Sequence, residues 1–456
     1  MVIKLRMTGK QHAEIKSHVL AEDGNEAGSL LICEPVFREN STIFLTKEII
    51  QVPYSACVER TPVYLSWPTE EYLLPLYERL ENNGLSLIML HSHPNGYNEF
   101  SETDTENDVK ILSRLTSCID GKQPHGSAIM LPDGITKARI MNEKEEFVPI
   151  DMVSVAGDDI HYFMDSTTTE NNSNFFKKTE QVYGSGTTSI MQHLKAGVVG
   201  VSGTGSPATE LLLRYHIGEL VPIDFDIIED GNLNRMLMSR TIDSETGTLK
   251  VDRCAQWVEE TGLPTKVIPI NGLIPSELTT DALAECDVLF GCLDNVAARH
   301  ALNKIACAYL IPYFDLGVAV KSDVNNPGNI RQAIARCHYV KPDESCLLDR
   351  RAYSSERLSD ENYRRDSPEF YKMLKELGYT GETNDIQAVM TLTMEAAVMA
   401  IDDFMARLRG YRVEENKEFD EQERSFTHGY YEHKAHSNEN IALRIFTATG
   451  DKHKRF

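Results

Sequence analysis

An apolar strand that runs directly into a glycine-rich turn and a helix is the feature that most constrains the fold of this chain. The strand covers residues 197–201, the turn reads Gly200-Val201-Ser202-Gly203-Thr204-Gly205-Ser206, and a helical pattern over 208–217 leads to a second strand at 221–228. This order predicts a βαβ unit, whose two strands are parallel. Further apolar strands are predicted at 266–270, 288–290 and 311–315, and a long amphipathic helix at 387–408. We therefore predict a doubly wound α/β sheet.

The residues before this unit show a more mixed pattern. Strands are predicted at 29–33, 41–52, 85–90, 127–131 and 136–141, and a helix at 70–81. The mixture indicates an α+β domain. Residues 165–174 are polar, which is typical of a linker. We therefore divide the 456 residues into domains at 1–164 and 176–410, a linker over 165–175 and a charged C-terminal extension over 411–456.

The acidic balance of the chain argues against several classes of function. Asp and Glu number 69 against 46 Lys and Arg, a net charge of −23, which disfavours a nucleic-acid binder or a polybasic membrane protein. No apolar run reaches the length of about 18 residues that a membrane helix needs, and the first residues lack the apolar core of a secretory signal. The nine cysteines include no CxxC pair, which indicates reduced thiols. We therefore expect a cytoplasmic protein.

A second motif, His91-Ser92-His93-Pro94, follows an apolar strand. Side chains two residues apart on a strand point to the same side, so His91 and His93 can bind one ion. Asp104 supplies a third ligand if the intervening loop folds back, and three protein ligands with one open position are typical of catalytic zinc. Such an ion lowers the pKa of a water ligand and polarises a carbonyl. Ser101-x-x-Asp104 is also typical of a helix capping box, and the two roles are compatible.

The full spacing, H-x-H-P followed after six residues by S-x-x-D, resembles the motif of the JAB/MPN zinc metalloproteases, also called JAMM proteins, over about residues 1–150. The resemblance implies an α+β, cytidine-deaminase-like fold with zinc on His91, His93 and Asp104. It implies that Ser101 helps to hold the tetrahedral intermediate and that Glu26 is the general acid/base. Without the resemblance, Glu26 is an exposed residue between a loop and a strand. RadC-like relatives share the spacing, so zinc binding and peptidase activity are separate expectations.

The glycine-rich turn is a candidate nucleotide site. The residues of this turn that we predict to contact the nucleotide are Gly200, Gly203, Gly205 and Ser206. Small side chains let the backbone approach a phosphate, and a helix N-terminus favours anions. Asp226 lies 21 residues after Gly205, a spacing that suits an acidic residue on ribose hydroxyls. Spacing alone leaves an NAD site open, although Ser202 stands at the middle glycine of that fingerprint.

Later motifs resemble those of the ThiF/MoeB/HesA and ubiquitin-activating family over about residues 180–410. They are Asp224-Phe225-Asp226, Asn232-Leu233-Asn234-Arg235, Lys250 after a glycine, and Asp294-Asn295 followed by Arg299. The resemblance implies a Rossmann-like, homodimeric domain that uses ATP and magnesium to adenylate the C-terminal glycine of a ubiquitin-like protein. It assigns Asp226 to the ribose, Asn232, Arg235 and Lys250 to the phosphates, and Asp294, beside Asn295, to magnesium.

The chain departs from this family in three places. Ser202 replaces the second glycine of the family's GG pair. Residues 176–184 contain Lys177 and Lys178 but not the arginine that reaches a partner subunit's nucleotide, and lysine is a poorer bidentate partner for phosphate. The family's two zinc-binding CxxC pairs are absent, so we expect no second zinc ion.

A thioester-forming cysteine is expected in the segment that crosses over the adenylate, where only Cys337 and Cys346 occur. Cys346 lies in a P-x-x-x-C-L stretch like that of bacterial family members, and Arg350 and Arg351 could lower the pKa of its thiol. The alternative is a buried or vestigial metal-site cysteine. Cys337, beside His338, is the second candidate.

Together the motifs predict a fusion of two opposing enzymes of a bacterial ubiquitin-like pathway, a type of pathway sometimes linked to antiphage defence. The N-terminal domain would trim or remove the modifier as a zinc (iso)peptidase, and the C-terminal domain would adenylate it and could form a thioester. Expected partners are a ubiquitin-like protein ending in Gly, a separate conjugating enzyme and a second copy of this chain, but no nucleic acid and no membrane. Two alternatives stay open: activation of a sulfur carrier for cofactor or siderophore synthesis, and a non-catalytic scaffold. An NAD oxidoreductase would leave residues 232–235 and 294–295 unexplained.

Overall fold

The computed structural model describes residues 1–120, 123–165, 174–323, 325–326, 328–376, 388–436 and 439–453. The chain forms two units, of which the first comprises Met1–Thr168 with Thr447–His453 and the second Thr169–Phe446 with Lys454–Phe456. Each unit is built on one large β-sheet. Residues 166–173 of the predicted linker lie outside the described residues.

The first unit contains eleven strands and three α-helices within its described residues. In chain order they are β1 (Val2–Thr8), α1 (Gly9–Val19), β2 (Gly28–Phe37), β3 (Ser41–Gln51), β4 (Glu59–Thr61), β5 (Tyr64–Ser66), α2 (Thr69–Asn83), β6 (Ser86–Ser92), α3 (Glu102–Cys118), β7 (Gly126–Met130), β8 (Thr136–Met141), β9 (Phe147–Pro149), β10 (Met152–Ala156) and β11 (Ile160–Met164). The main sheet has the strand order β11-β10-β1-β3-β2-β6-β7-β8-β9, and β4 and β5 form a separate hairpin.

Helices pack on both faces of this sheet because its central strands are apolar on both faces. In β2, Leu31 and Cys33 belong to the apolar cluster that includes the buried face of α1. Leu30 and Ile32 alternate with them and belong to the cluster that includes α2 and α3. The α+β architecture, the predicted helix over 70–81 and the five predicted strands are therefore confirmed.

Within the described residues, the second unit begins with a 3-10 turn at Asn174–Phe176, which two short α-helices follow. In chain order its elements are α4 (Lys177–Tyr183), α5 (Ser185–His193), β12 (Lys195–Val199), α6 (Gly205–Arg214), β13 (Glu219–Asp224), α7 (Thr241–Thr246), α8 (Lys250–Thr261), β14 (Lys266–Val267), β15 (Ile270–Asn271), α9 (Glu277–Ala284), β16 (Val288–Gly291), α10 (Val296–Ala308), β17 (Tyr313–Ser322), β18 (Ile330–Val340), α11 (Ser355–Asp366), α12 (Pro368–Glu376), α13 (Met390–Arg409), β19 (Glu421–Ser425) and β20 (Tyr430–Lys434). No helix in the described parts of the chain combines the length and the apolar character that a membrane span needs.

The second sheet confirms the predicted doubly wound fold. Its strand order is β14-β13-β12-β16-β17-β18-β19-β20, with β15 also paired to β13. The strands from β14 to β17 are parallel, and the strand order reverses beside β12. In such sheets ligands bind beyond the carboxyl ends of the strands at this reversal, which is where the glycine-rich turn lies. Strands β18, β19 and β20 add an antiparallel extension to the sheet.

The tail predicted as a charged extension over 411–456 is divided between the two units. Its strands β19 and β20 lengthen the second sheet. Residues 447–453 belong to the first unit, where Arg38 donates to Asp451 and Lys452 donates to the carbonyl oxygen of Asn83. The charged side chains of the tail that form these ion pairs and hydrogen bonds are therefore part of the folded units.

Candidate functional site

The three predicted metal ligands meet at one end of the first sheet. His91 lies on β6, His93 directly follows that strand, and Asp104 lies in the first turn of α3. The Nε2 atom of His91 is 3.5 Å from Oδ1 of Asp104, Nε2 of His93 is 3.5 Å from Oδ2, and the two Nε2 atoms are 3.0 Å apart. Within the described residues, this is the one group of three His, Cys, Asp or Glu side chains whose ligand atoms lie within 4.8 Å of one another.

A hydrogen bond at Nδ1 of His93 determines which ring nitrogen faces the other two candidate ligands. The carbonyl oxygen of Tyr97 lies 2.7 Å from Nδ1 of His93. Because a carbonyl oxygen only accepts, we assign the proton to Nδ1, which leaves the Nε2 lone pair for a metal. Burial lowers the pKa of His93, but its bonds to Asp104 and Tyr97 outweigh burial and raise that pKa. Burial likewise raises the pKa of Asp104, and its bonds to the two histidines outweigh burial and lower it.

The helix cap and the ligand set share Asp104. The Oγ atom of Ser101 accepts from the amide of Asp104 at 3.1 Å, and Oδ2 of Asp104 accepts from the amide of Ser101 at 2.7 Å. This reciprocal cap confirms the capping-box interpretation of the S-x-x-D motif and fixes the carboxylate beside the two histidines. Metal binding by Asp104 stays a prediction. The donor set of two imidazole nitrogens and one carboxylate oxygen fits zinc.

Glu26 lies beside this cluster, just before β2. Two residues later, Gly28 pairs with His91 across the neighbouring strands. The amide of Glu26 donates to the carbonyl oxygen of Thr61 on β4 at 2.9 Å, which fixes its backbone. Glu26 is only 5% exposed, so the alternative of an exposed residue is wrong. Burial raises the pKa of Glu26, and the neighbouring His91 and His93 offset part of this rise. A raised pKa suits a carboxyl group that transfers protons near neutral pH.

The glycine-rich turn between β12 and α6 has a shape that requires glycine. Gly200 has a φ of +84°, in the left-handed region. A Cβ atom at Gly205 would lie 1.8 Å from the carbonyl oxygen of Gly200, so no side chain fits there. An added Cβ at Gly203 would lie 3.1 Å from Cδ of Arg235. The buried Ser206 accepts through Oγ, at 3.0 Å, from a backbone amide of the segment after Arg235, which ties the turn to that segment.

Two acidic residues, one at the end of β13 and one just beyond it, connect this turn with a lysine. Asp224 accepts through Oδ2 from the amide of Val201 at 2.8 Å and through Oδ1 from the amide of Asp226 at 2.9 Å. Lys250, the first residue of α8, donates through Nζ to Oδ2 of Asp226 at 2.8 Å and lies 4.0 Å from Oδ1 of Asp224. Burial raises the pKa of Asp224, and Lys250 partly offsets the rise. Asp224 belongs to the D-x-D motif, but no role was predicted for it from the sequence.

Asn232 is the last residue of the short helical turn Asp230–Asn232, and Arg235 lies just after this turn. Asn232 caps this turn by accepting a backbone hydrogen bond through Oδ1 at 3.0 Å. Arg235 donates through Nη1 to the carbonyl oxygen of Gly231 at 2.5 Å. The structure thus brings the predicted arginine to the glycine-rich turn, where its stem faces Gly203.

Asp294 and Asn295 are exposed between β16 and α10. Asn295 caps α10 by accepting from a backbone amide at 2.7 Å. One turn later, Arg299 donates through Nε to Oδ1 of the buried Asp315 at 2.9 Å, and the hydroxyl of Tyr313 donates to the same oxygen at 2.7 Å. Burial raises the pKa of Asp315, but Arg299 outweighs burial and lowers it. Asp315 was not predicted as a site residue, although an acidic residue in an apolar strand was the available signal.

Both candidate thioester cysteines are buried. Cys346 is 0% exposed, and burial raises the pKa of its thiol to about 12. The expectation that the neighbouring arginines lower this pKa is therefore wrong, because Arg350 instead donates to two backbone carbonyl groups at 2.7 and 2.9 Å. Cys337 on β18 is also buried, which raises the pKa of its thiol well above the ordinary value. These environments match the alternative of packed cysteines, and the thioester role stays a prediction.

Two family models match this chain. Residues 177–441 match the ThiF family, and residues 10–165 match the prokaryotic homologs of the JAB domain. These matches cover the second and the first unit, respectively.

Several curated proteins are similar to parts of the chain. A SAMP-activating enzyme E1 from Haloferax volcanii is 32% identical over 108 residues, which is 24% of this chain and 39% of that protein. A molybdopterin-synthase adenylyltransferase from Escherichia coli is 29% identical over 126 residues, or 28% and 49% of the two chains. An adenylyltransferase and sulfurtransferase uba4 from Aspergillus niger is 29% identical over 116 residues, or 25% and 24%. The chain thus spans less than half of the length of each of these relatives. Among solved structures, E. coli MccB with ATP is 17% identical, has a TM-score of 0.44, and the match covers 60% of this chain and 75% of that chain.

Proposed function

Because this chain belongs to the ThiF family through residues 177–441, we propose that its second unit uses ATP and magnesium to adenylate the C-terminal glycine of a ubiquitin-like protein. The observation that carries this proposal is the way Asp224 joins Asp226 and Lys250 to the glycine-rich turn. A cation and an acidic residue beside such a turn, at the strand reversal of a doubly wound sheet, suit a nucleotide. The name of one relative, a SAMP-activating enzyme E1, supports the same reaction.

Each side chain of this site would meet a different part of the nucleotide. Asp226 would accept hydrogen bonds from the ribose hydroxyls, and Asn232 would donate to a phosphate oxygen. Lys250 and Arg235 would stabilise the negative charge that develops on the α-phosphate while the modifier carboxylate displaces pyrophosphate. Asp294, exposed at the start of α10 beside Asn295, would help to hold magnesium, which neutralises phosphate charge when it is bound.

We propose in addition that the first unit is a zinc-dependent peptidase or isopeptidase. The convergence of His91, His93 and Asp104 and the match of residues 10–165 support this activity. When bound, zinc would polarise the scissile carbonyl and lower the pKa of a water ligand. Glu26 would accept a proton and deliver it to the leaving amine, a role that its burial and raised pKa support. The hydroxyl group of Ser101 would donate a hydrogen bond to the oxygen of the tetrahedral intermediate.

The two activities would act on the same end of one modifier. The first unit would expose the glycine carboxylate by removing residues beyond it, or would release the modifier from its targets. The second unit would activate that carboxylate for transfer to a separate conjugating enzyme, and a second copy of the chain would complete a homodimer. Antiphage defence is one process that such a pathway would serve.

A second candidate function is the activation of a sulfur carrier for cofactor or siderophore synthesis. The names of two relatives support it, because one is a molybdopterin-synthase adenylyltransferase and another an adenylyltransferase and sulfurtransferase. Recovery of the carrier as a thiocarboxylate would favour this function, whereas recovery of lysine conjugates would favour protein modification.

ATP–pyrophosphate exchange with a ubiquitin-like protein ending in Gly tests the adenylation proposal. The wild-type chain should catalyse exchange, and Lys250→Ala should abolish it. The matched control is Lys266→Ala, which removes a largely exposed lysine that pairs with Glu219 on the same sheet. Absence of exchange by the wild-type chain, or unchanged exchange by Lys250→Ala, would overturn the proposal and favour a non-catalytic scaffold.

A further inference from the structure

Arg139 of β8 is bonded to the helix that supplies one of the candidate metal ligands. It is 8% exposed, and its guanidinium group donates from three nitrogen atoms. Nε donates to Oγ of Ser127 at 2.9 Å, Nη1 to Oγ1 of Thr105 at 3.0 Å, and Nη2 to Oδ2 of Asp108 at 2.7 Å. Thr105 and Asp108 both lie near the start of α3, so this one side chain ties β8 to that end of the helix.

The same guanidinium group lies between two aromatic rings. Its central carbon is 3.7 Å from the ring centroid of Phe100 and 3.8 Å from that of Phe147. Phe100 directly precedes Ser101, the N-cap of α3. A planar guanidinium group can stack on two rings and donate at its edge at the same time, which a lysine ammonium group cannot do.

Thr105 connects Arg139 with the helix cap. Its Oγ1 atom accepts from Arg139 and donates to the carbonyl oxygen of Ser101 at 2.9 Å. Ser101 and Asp104 form the reciprocal cap that fixes the carboxylate of Asp104. The hydrogen bond from Thr105 to Ser101 therefore links Arg139 to this cap. Lys137, also on β8, donates at 3.0 Å to a backbone carbonyl of the loop that leads to Ser101. Strand β8 therefore holds both this loop and the start of α3.

We propose that Arg139 is a positioning residue, which holds Ser101 and Asp104 in the geometry that zinc binding requires. The inference rests on the proposed function of the first unit and deepens it. Substitution of a residue that orients metal ligands without binding the metal typically lowers metal affinity by about 10- to 100-fold. We expect an effect of this size for Arg139, which acts through Thr105 and the helix cap.

Metal binding to the 456-residue chain tests this role. Zn²⁺ and Co²⁺ affinities are measured by competition with a chromophoric chelator, together with the Co²⁺ absorption spectrum and the near-ultraviolet circular dichroism of the metal-free chain. The variants are Arg139→Met, Arg139→Lys and Thr105→Val, and the control is Arg114→Met, which removes from α3 an exposed arginine that pairs with Glu70. Thr105→Val keeps the ion pair of Arg139 with Asp108, so it decides the question if Arg139→Met does not fold.

We expect Arg139→Met to lower both metal affinities by about 10- to 100-fold and to change the Co²⁺ spectrum, with smaller losses for Arg139→Lys and Thr105→Val. Arg114→Met should match the wild-type chain. Wild-type affinities in a folded Arg139→Met or in Thr105→Val would overturn the inference while leaving the zinc proposal intact. A wild-type chain that binds neither metal would overturn the zinc proposal itself, and this inference with it.

Discussion

The Oδ2 atom of Asp224 accepts a hydrogen bond from the backbone amide of Val201 at 2.8 Å, which fixes the glycine-rich turn to the end of the neighbouring strand. The other oxygen holds the amide of Asp226. Hydrogen bonds to charged groups contribute about 1.5–3 kcal/mol each, so we predict that Asp224→Ala lowers ATP affinity at least about 10-fold and Asp224→Asn lowers it less. Isothermal titration with ATP checks this, with Asp252→Asn, an exposed change on α8, as the control. Equal affinities for Asp224→Ala and the control would contradict the anchoring role.

The thiol of Cys346 should be unreactive in the folded chain. Burial raises its pKa to about 12, so almost none of it is thiolate at pH 8. Iodoacetamide at this pH should label the exposed Cys118 in the native chain, and Cys346 only after unfolding. Peptide mass spectrometry measures both sites in one sample. Native labelling of Cys346, or a modifier thioester on it, would show that this thiol becomes accessible and would support the nucleophile interpretation.

The first unit should lose stability in mild acid because His125 is buried in its neutral form. Its Nδ1 atom accepts from the amide of Leu87 at 3.0 Å, and burial lowers its pKa from 6.5 to about 4. The unfolded chain therefore binds a proton below pH 6.5 that the folded chain does not bind. The free energy of unfolding is therefore unaffected by protonation of His125 above pH 6.5 and falls progressively toward pH 4, by about 3 kcal/mol in total.

Hydrogen exchange of β6 amides between pH 7.5 and 4.5 measures this effect, after correction for the intrinsic pH dependence of exchange. His125→Asn keeps a hydrogen-bond acceptor but does not titrate, so its stability should fall less steeply than that of the wild-type chain. Parallel curves for the two proteins would show that His125 is not responsible.

The C-terminal segment should stabilise the first unit. Asp451 accepts from Nη1 and Nη2 of Arg38 at 2.7 and 2.8 Å, and the nearby Ala448 is 2% exposed. Asp451→Ala should destabilise this unit by about 1–2 kcal/mol, because it leaves a largely buried guanidinium group without its bidentate partner. Hydrogen exchange of β2 amides checks this, with Glu439→Ala, which breaks an exposed ion pair with Arg444, as the control. Equal protection in both variants would contradict the prediction.

The candidate metal site was predictable because its parts are local in sequence. His91 and His93 share one strand end, and the S-x-x-D spacing that places Asp104 is set by the first turn of a helix. The turn around Gly200 was predictable for the same reason. Ser202 fits in place of a family glycine because its φ is not in the left-handed region.

Other features depend on tertiary contacts that no local pattern contains. The partnership of Arg299 with Asp315 joins a helix to a strand, and that of Arg38 with Asp451 joins residues 413 positions apart. The environment of Cys346 was not predictable for the same reason. Its sequence neighbours include arginines, but packing in the folded chain removes its side chain from water. Sequence patterns therefore predicted which candidate residues come together better than they predicted which residues hold them in place.

An exchange assay with two substrate forms examines whether one chain both prepares and activates the same modifier. The substrate is a ubiquitin-like protein supplied in two forms, one ending in Gly and one extended beyond that glycine, each with ATP and labelled pyrophosphate. We expect the zinc-loaded wild-type chain to catalyse exchange with both forms. Glu26→Gln should catalyse exchange with the form ending in Gly and fail with the extended form. Exchange by Glu26→Gln with the extended form, or failure of the wild-type chain with one or both forms, would rule out this combination of activities.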